Sequence, residues 1–302
     1  MIALTSAIEP LRHANHMAGV EYYQWNVFSE QGLPVAASNG LSISVAGTLG
    51  DITGGSTVVL CGGPNIESHT SPGLVAWLRK TARHGRDIGA LCTAAHVLAK
   101  AGLLEGRKCT IHWENMEGFA ENFPDLDMTG RLYEIDRDRF TCAGETAAID
   151  LVATMISAQH GEKLAGIVAD QVLHSPVREA TQAQRPSLTT RIGVRNPKLT
   201  TVIEQMEAHI EDPLSPEDLA TFCDLSRRQL ERLFEKHLNL SPQRYYRQLR
   251  LKKARSFLLQ TNMSVMAVAV ACGFSSPSHF SKCYRTQFHI SPYEDRGVPP
   301  RL

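Results

Sequence analysis

Cys92 is the residue whose surroundings point most directly to chemistry. It ends the strand-like run DIGALC, and the helix-like run TAAHVLAKAGLL follows at once. A cysteine at such a junction lies in a sharp turn near a helix N-terminus, where backbone N–H groups and the helix dipole favour the thiolate. His112 ends the next strand-like run, which permits a nucleophile–base pair. Three interpretations stay open: a packed cysteine in a tight turn, a residue that lines a ligand pocket, and a catalytic nucleophile.

The elements that must position these residues follow from an alternating pattern over residues 1–177. Strands are expected at Tyr22–Glu30, Ser56–Gly63, Asp87–Cys92, Lys108–Trp113, Leu132–Asp138 and Arg139–Gly144. Helices are expected at Gly73–Gly85, Ala94–Leu104, about Glu114–Asn122 and Ala147–Gly161. Short apolar strands that alternate with amphipathic helices predict an α/β sheet with helices on both faces.

The remainder of the chain changes character twice. Residues 178–198 are rich in Gln, Thr, Ser, Arg and Pro, which predicts a linker. Residues 199–302 are helical in pattern and contain two copies of one motif, Leu219–Pro242 and Val268–Pro292. Each copy has a short helix, a tight turn (Asp224-Leu225 or Gly273-Phe274), a capping serine, a longer helix and a closing Ser-Pro pair. The repeat predicts two helix-turn-helix motifs whose second helices enter the major groove of DNA.

Charge supports this prediction of DNA binding. The whole chain balances 31 basic against 31 acidic residues, yet residues 226–255 contain ten lysines and arginines and two acids. Such an excess suits phosphate contacts. We expect base contacts from residues near the start of each second helix: Arg227, Arg228, Gln229, Arg232, Ser276, Ser278, His279 and Lys282. Arg244, Arg247 and Arg250 on the joining helix are assigned to phosphate or to solvent. That stiff helix could place both reading helices in successive major grooves, about 34 Å apart, so that one chain reads a bipartite half-site.

These motifs resemble a known family. Residues 216–293, with RLKKAR and ACGFSSPSHFSKCYR, resemble the AraC/XylS-type DNA-binding domain. Residues 2–184, with SAIEPLRHAN, LCGGPN, GALCTAAHVLAKAGLLEGRKCTIHWE and DRFTCAGETAAIDL, resemble the class I glutamine amidotransferase-like (ThiJ/PfpI) domain. In this order the two domains are similar to GlxA-type regulators, and most similar to activators of betaine, carnitine or arginine catabolism. The resemblance implies a flavodoxin-like sandwich followed by an all-α domain.

The resemblance also implies a site. In enzymes of the ThiJ/PfpI fold, Glu, Cys and His at the positions of Glu9, Cys92 and His112 form the reactive centre, and regulators are thought to bind a ligand there. Gly62, Gly63 and Trp113 complete the expected pocket. A quaternary ammonium ligand could lie over an aromatic face, worth about 0.5–2 kcal/mol, although strand aromatics are commonly core residues. The available aromatic side chains are Tyr22, Tyr23, Trp25, Trp77 and Trp113.

Three departures from the family pattern stand out. Ala94 follows Thr93 where relatives usually carry Gly, and Glu145 follows CAG where Gly is common. The third is the missing first strand: relatives have a strand ending in a Gly-Phe step before the first helix, whereas this chain starts at Met1 within it. A lost central strand leaves backbone groups and apolar surface uncovered. The expectation is therefore a longer natural protein or an unstable one.

Composition limits the remaining classes. The longest apolar runs are too short to span a bilayer, and no signal peptide is expected at the N-terminus. Seven cysteines without a CxxC pair or zinc-type spacing predict a reduced, cytoplasmic protein with no metal or cofactor. The expected partners are double-stranded promoter DNA, a small-molecule effector, RNA polymerase and a second copy of the chain. The predicted function is an effector-responsive transcription factor, which the resemblance implies to be an activator. The alternative is a cysteine-dependent ThiJ/PfpI-type enzyme fused to a DNA-binding domain.

Overall fold

The computed structural model describes residues 1–52 and 54–297. The chain divides into two compact units, with Gln184 the last residue of unit 1 and Arg185 the first of unit 2. The expected boundary after residue 177 therefore lies inside unit 1, because residues 178–184 are hydrogen-bonded to that unit. Residues 298–302, which end the expected second domain, lie outside the described residues.

Unit 1 combines six α-helices with eight short strands among its described residues. The helices are α1 (Ile2–Ala18), α2 (Pro72–Arg83), α3 (Ala95–Lys100), α4 (Met116–Asn122), α5 (Ala147–His160) and α6 (Glu162–Gln171). The strands are β1 (Val35–Ala36), β2 (Ser42–Ile43), β3 (Val58–Cys61), β4 (Ile88–Leu91), β5 (Lys108–Cys109), β6 (Asp127–Met128), β7 (Tyr133–Asp136) and β8 (Arg139–Cys142).

The central sheet has the strand order β3-β4-β8-β7. Strands β3, β4 and β8 are parallel, and β7 pairs antiparallel with β8 at one edge. All four residues of β4 are buried. A Cβ at Gly89 would lie 1.8 Å from Cε2 of Phe140, so this glycine lets the β8 ring pack across the middle of the sheet. The carboxyl ends of β3, β4 and β8 therefore lie side by side, and Cys92 follows the central one.

Helices cover both faces of this sheet. Val75 and Leu78 of α2 and Leu98 of α3 pack with Ile88 of β4 in one core. On the other face, Ala3 of α1 and Leu151 of α5 pack with Phe140, and Ala14, Ile156 and Val168 join α1, α5 and α6. The α/β sandwich expected from the alternating pattern is confirmed.

The predicted strand at Tyr22–Glu30 is wrong. Only one bridge forms there, between Phe28 and Gly47. The backbone instead pairs with an irregular segment, through hydrogen bonds from Ser29 N to Gly47 O (3.2 Å) and from Ala46 N to Val27 O (2.7 Å). A strand needs a neighbour that continues its ladder for several residues, and residues 1–52 and 54–297 provide no such neighbour here. Strands lie within the other five predicted ranges and helices over the four predicted ones. The strand predicted at Lys108–Trp113 is reduced to Lys108–Cys109, so His112 does not lie at the end of a strand but before a 3-10 turn.

Unit 2 is helical throughout its described part. Its helices are α7 (Leu188–Ile192), α8 (Pro197–Ala208), α9 (Pro216–Phe222), α10 (Arg227–Leu238), α11 (Pro242–Gln260), α12 (Val265–Ala271), α13 (Pro277–Phe288) and α14 (Pro292–Asp295). The predicted linker at 178–198 is only partly right. Leu188 of α7 is buried with Leu199 and Tyr246, so this stretch adds a short helix to the unit 2 core.

No helix in residues 1–52 and 54–297 has the length and apolar character needed to cross a bilayer. In the same residues, no three or more His, Cys, Asp or Glu side chains gather as a metal site.

Candidate functional site

Unit 2 contains the same helix-turn-helix arrangement twice. In each copy a seven-residue helix, α9 or α12, precedes a tight turn and a twelve-residue helix, α10 or α13. The turns close alike: Leu225 N donates to Ala220 O, and Phe274 N to Ala269 O, both at 2.9 Å. The turn residue has a positive φ in each, 49° at Asp224 and 72° at Gly273. Both helix-turn-helix motifs predicted from the sequence are confirmed.

The two longer helices begin and end alike. Ser226 and Ser276 cap them by accepting hydrogen bonds from the backbone N–H groups of Gln229 and His279, at 3.3 Å in both copies. Asn239 and His289 end them in the left-handed region, with φ of 52° and 61°. A capping serine satisfies backbone donors that a helix start leaves without partners. Equivalent core positions are filled in the two copies by Leu230 and Phe280 and by Phe234 and Tyr284, all fully buried.

Helix α11 belongs to both copies. Tyr246, near its start, packs into the first core with Leu230 and Phe234. Leu251 and Phe257, further along, pack into the second core. Its 19 residues span about 28 Å at 1.5 Å per residue. A single helix therefore supplies residues to both cores and joins the two helix-turn-helix motifs; that it holds their second helices in successive major grooves stays a prediction.

The exposed face of α10 carries two arginines one turn apart. Arg228 and Arg232 line a shallow, open hollow with Glu231, Glu235 and Ser241. Neither guanidinium has a hydrogen bond or an ion pair within residues 1–52 and 54–297. Both are therefore available to a nucleic acid. Guanine is the base whose edge best matches an arginine fork.

The other two α10 candidates are engaged within the protein. Arg227 pairs with Glu217 at 2.5 Å and with Glu231 at 3.3 Å. The side-chain oxygen of Gln229 accepts the N–H of Ser226 at 2.7 Å, which leaves only its amide nitrogen for a base. Base contacts from Arg227 and Gln229 stay predictions, and Arg227 would first have to leave its carboxylates.

The candidates on α13 follow the same pattern. Ser278 and Lys282 are exposed at the positions equivalent to Arg228 and Arg232. Lys282 has no ion pair among the described residues. Nε2 of His279 lies 3.3 Å from Sγ of Cys283, and the hydroxyl of Ser276 is used as the helix cap. Ser278 and Lys282 are thus the α13 candidates that are least engaged within the protein.

Of the three arginines assigned to phosphate, Arg250 is differently placed. Its Nε donates to Cys272 O at 2.8 Å and its Nη2 to Gly273 O at 2.5 Å. A phosphate would have to break these bonds, which tie α11 to the turn of the second motif. We therefore withdraw Arg250 as a phosphate contact. Arg244 and Arg247 are exposed and stay candidates.

In unit 1, the turn at Cys92 is held between two glycines. Cys92 has a φ of 60°, a left-handed conformation that is uncommon outside glycine. A Cβ at Gly144, after β8, would lie 2.6 Å from Cβ of Cys92. A Cβ at Gly62, after β3, would lie 2.5 Å from both Ala94 N and Thr93 Oγ1. Only glycine on both sides lets the neighbouring strand ends approach this turn so closely.

The protonation of Cys92 differs from the expectation. Burial raises the pKa of its thiol to about 11, and the carboxylate of Glu145 acts in the same direction. A backbone hydrogen bond at Thr93 lowers the pKa but does not offset the burial. The predicted preference for the thiolate is therefore wrong, because the low-dielectric surroundings outweigh the helix start.

The other expected pocket residues are not bonded to this cysteine. Glu9 accepts from Arg12 at 2.6 Å, which lowers the pKa of its carboxyl, and is directed along its own helix. Nδ1 of His112 lies 3.4 Å from the backbone nitrogen of Glu114 and caps a short 3-10 turn. Among the described residues, no hydrogen bond joins Cys92 to Glu9 or His112. No nucleophile–base pair is formed.

The aromatic residues do not form one cage. Tyr22 stacks on His160 with ring centres 4.0 Å apart, and Tyr23 meets the same ring edge-on. Trp77 packs against the core beside β4. Trp113 lies 5.5 Å from the ring of His112, and it is the one aromatic of the set that stays beside a pocket candidate.

The turn at Cys92 is open on the side of Gly63. A Cβ there would meet nothing within 4 Å, and its carbonyl oxygen accepts the hydroxyl of Thr93 at 2.7 Å. Sequence reasoning missed the role of Thr93 in this turn.

It also missed Asp150, Arg178 and Gln184, which bond the end of unit 1 to its core. The sequence signal of these residues was weak, since single polar residues in a helix and a linker have no recognisable spacing.

An α/β unit joined to a rigid pair of helix-turn-helix motifs defines a DNA-binding regulator with an added domain. The helix-turn-helix domain model matches residues 219–297, and the DJ-1/PfpI family model matches residues 4–158. The chain belongs to the AraC-type transcriptional regulators that carry a DJ-1/PfpI domain, the GlxA-type architecture. It binds DNA and regulates transcription, as predicted.

Two relatives match nearly the whole chain, and one solved structure matches about half of it. The chain is 42% identical to the HTH-type transcriptional regulator GbdR of Pseudomonas aeruginosa, over 99% of this chain and 82% of the relative. It is 45% identical to the regulator CdhR of the same organism, over 99% of this chain and 89% of the relative. A solved AraC family regulator from Pseudomonas putida covers 57% of this chain and 92% of its own, with 27% identity and a TM-score of 0.52. All three relatives are named as transcriptional regulators.

Proposed function

We propose that this chain is a sequence-specific, cytoplasmic bacterial transcription factor that activates its promoters when a small nitrogenous metabolite binds unit 1. Glycine betaine, carnitine and arginine are the candidate effectors, on the strength of the family resemblance. RNA polymerase and a second copy of the chain are the proposed protein partners. The ligand must bind the DNA-competent state more tightly than the other state, since only differential affinity shifts a population.

The observation that carries the DNA part is the equivalence of the two exposed faces. Arg228 and Arg232 on α10 and Ser278 and Lys282 on α13 occupy matching positions in matching helices, and α11 joins those helices through both cores. A rigid pair of such helices suits two adjacent major-groove segments on one side of a duplex. We infer that the four side chains read base edges, whereas Arg244 and Arg247 contact phosphates.

Binding-site selection from a random duplex library, followed by footprinting, tests this assignment. Arg228→Ala should cost about 1–3 kcal/mol on the selected site and relax the preference at one base position. Arg244→Ala, the matched control on α11, should weaken binding to all duplexes alike and reduce the salt slope by about one. Protection of a single groove segment, or identical effects of the two variants on selected and random DNA, would contradict the proposal.

The effector part rests on the open space beside Gly63 and the strained turn at Cys92. Thermal unfolding with glycine betaine, carnitine and arginine tests it, because a ligand that binds the folded state raises Tm; at a hundred times Kd the stabilisation is about 2.7 kcal/mol. Trp113→Ala should remove the shift for a quaternary ammonium ligand, and Trp77→Phe serves as the aromatic control in the core. No shift with any of the three compounds would exclude them as effectors.

A further inference from the structure

A buried carboxylate fastens the end of unit 1 to α5. Asp150, in the first turn of α5, is fully buried. It accepts the backbone N–H of Arg178 at 2.7 Å and two guanidinium bonds from the same residue at 2.9 and 2.6 Å. Nε2 of His174 lies 2.8 Å from Oδ1 of Asp150. A buried charge with this many partners resists separation, because breaking the set leaves the carboxylate uncompensated.

A second anchor lies at the last residue of the unit. The side-chain nitrogen of Gln184 donates to Ile111 O at 3.0 Å, to Arg131 O at 2.8 Å and to Thr110 Oγ1 at 3.0 Å. Leu132 N also donates to Ala180 O at 3.0 Å. Residues 174–184 are therefore bonded to α5 at one end and to residues beside β5 and β7 at the other, and Arg185 continues directly into the DNA-binding unit.

Both anchors begin beside the candidate ligand site. Arg178 Nη2 donates to the hydroxyl of Thr146 at 3.0 Å, and Thr146 is two residues from Gly144, which meets the Cys92 turn. Gln184 holds the carbonyl of Ile111, the residue before His112. Gly144 and His112, on the two sides of this site, are thus one or two residues from groups that are hydrogen-bonded to residues 174–184, which we call the exit segment. A displacement of either side would reach the exit segment over that short distance.

We propose that Asp150, Arg178 and Gln184 are positioning residues that couple the Cys92 turn to residues 174–184, and through them to the DNA-binding unit. This inference rests on the proposed function, because it assigns the regulation of the same site. The ligand shifts the Cys92 turn, the ends of β8 and β5 follow, and the two anchors carry the change to the exit segment. These three residues are assigned to this coupling and not to ligand binding.

Hydrogen exchange of the full chain tests the coupling without a ligand. Gly62→Ala forces the Cys92 turn to move from the β3 side, since the new Cβ would lie 2.5 Å from Ala94 N. We expect the Arg178 amide to exchange at least about tenfold faster in this variant, as a loosened local structure does. Gly63→Ala is the matched control, because its Cβ meets nothing within 4 Å. Equal exchange at Arg178 in the two variants would overturn the proposal.

A milder variant keeps this test usable if Gly62→Ala does not fold. Thr93→Val removes the 2.7 Å bond from the Cys92 turn to Gly63 O and leaves the strand ends unchanged. Faster exchange at Arg178 in Thr93→Val supports the coupling, and unchanged exchange counts against it.

Binding of DNA by the full chain gives the second readout. With a compound that raises Tm, Gln184→Ala and Arg178→Ala should retain the Tm shift but lose most of the ligand-induced change in DNA affinity. Arg107→Ala is the control: it breaks a 2.6 Å pair with Asp138 at the opposite end of β8, and should leave that change intact. A full DNA response in both anchor variants would overturn the coupling. If none of glycine betaine, carnitine and arginine raises Tm, the proposed effector fails instead, and hydrogen exchange alone decides the coupling.

Discussion

The guanidinium carbon of Arg250 lies 4.2 Å from the centre of the Phe274 ring. Phe274 is in the turn of the second helix-turn-helix motif and is buried. Together with the two carbonyl bonds at Cys272 and Gly273, this contact fastens the middle of α11 to that turn. This basic residue of α11 thus stabilises the fold of unit 2.

Replacement of Arg250 should therefore reduce stability before it affects DNA recognition. Arg250→Ala loses a cation–π contact and two charge-assisted hydrogen bonds, so we expect unfolding to become easier by roughly 3 kcal/mol. Urea unfolding measures this change. Arg247→Ala, exposed on the same helix, should stay within about 0.5 kcal/mol of the wild type. Equal stability of the two variants would show that the Arg250 contacts contribute little.

The two turn residues Asp224 and Gly273 should respond differently to substitution. A Cβ at Gly273 would lie 2.6 Å from Cγ of Pro213 and 2.7 Å from Ile210 O, at a positive φ. Gly273→Ala should therefore cost more than about 2 kcal/mol in thermal or urea unfolding. Asp224→Gly relieves a left-handed residue but loosens the unfolded chain, and should change stability by less than about 1 kcal/mol. A small loss in Gly273→Ala would mean that the turn can open towards Pro213 at little cost.

Cys92 should react slowly with alkylating reagents at neutral pH. With a pKa of about 11, its thiolate is roughly one part in ten thousand at pH 7, against a few per cent for an ordinary thiol. Labelling by iodoacetamide, followed by peptide mass spectrometry, should become faster as pH rises towards 11. Glu145→Gln removes a charge that raises this pKa, and should speed the labelling. Rapid labelling of wild-type Cys92 at pH 7 would restore the case for a reactive nucleophile.

His96 should make unit 1 sensitive to mild acid. This side chain is buried against the Phe123 ring, and burial lowers its pKa to about 4. The unfolded chain, with an ordinary pKa near 6.5, then binds a proton that the folded state does not, so stability falls as pH drops from about 6.5 to about 4. The full effect is roughly 3 kcal/mol. Urea unfolding between pH 8 and pH 4 should show this loss in the wild type and not in His96→Leu; the same slope in both would assign the acid sensitivity to other groups.

How far sequence reasoning reached depends on how local each feature is. The helix-turn-helix repeat was predictable because caps, turns and buried positions recur within a few residues of each other, as Ser226 and Ser276 or Leu230 and Phe280 show. The buried strand at Ile88–Leu91 was predictable for the same reason, since a short apolar run between helices has few alternatives. The strand predicted at Tyr22–Glu30 failed because a strand also requires a partner, which its own residues do not specify.

Periodicity and capping are encoded locally, so the order of the residues was enough to predict an α/β unit followed by two helix-turn-helix motifs. The chemical state of individual groups followed only from the folded arrangement. Arg250 is turned inward by carbonyls of the second motif, and Cys92 is kept protonated by burial. Asp150 is hydrogen-bonded to Arg178, which is distant from it in the sequence. Burial and charge pairing depend on which distant residues meet, and that is known only once the chain is folded.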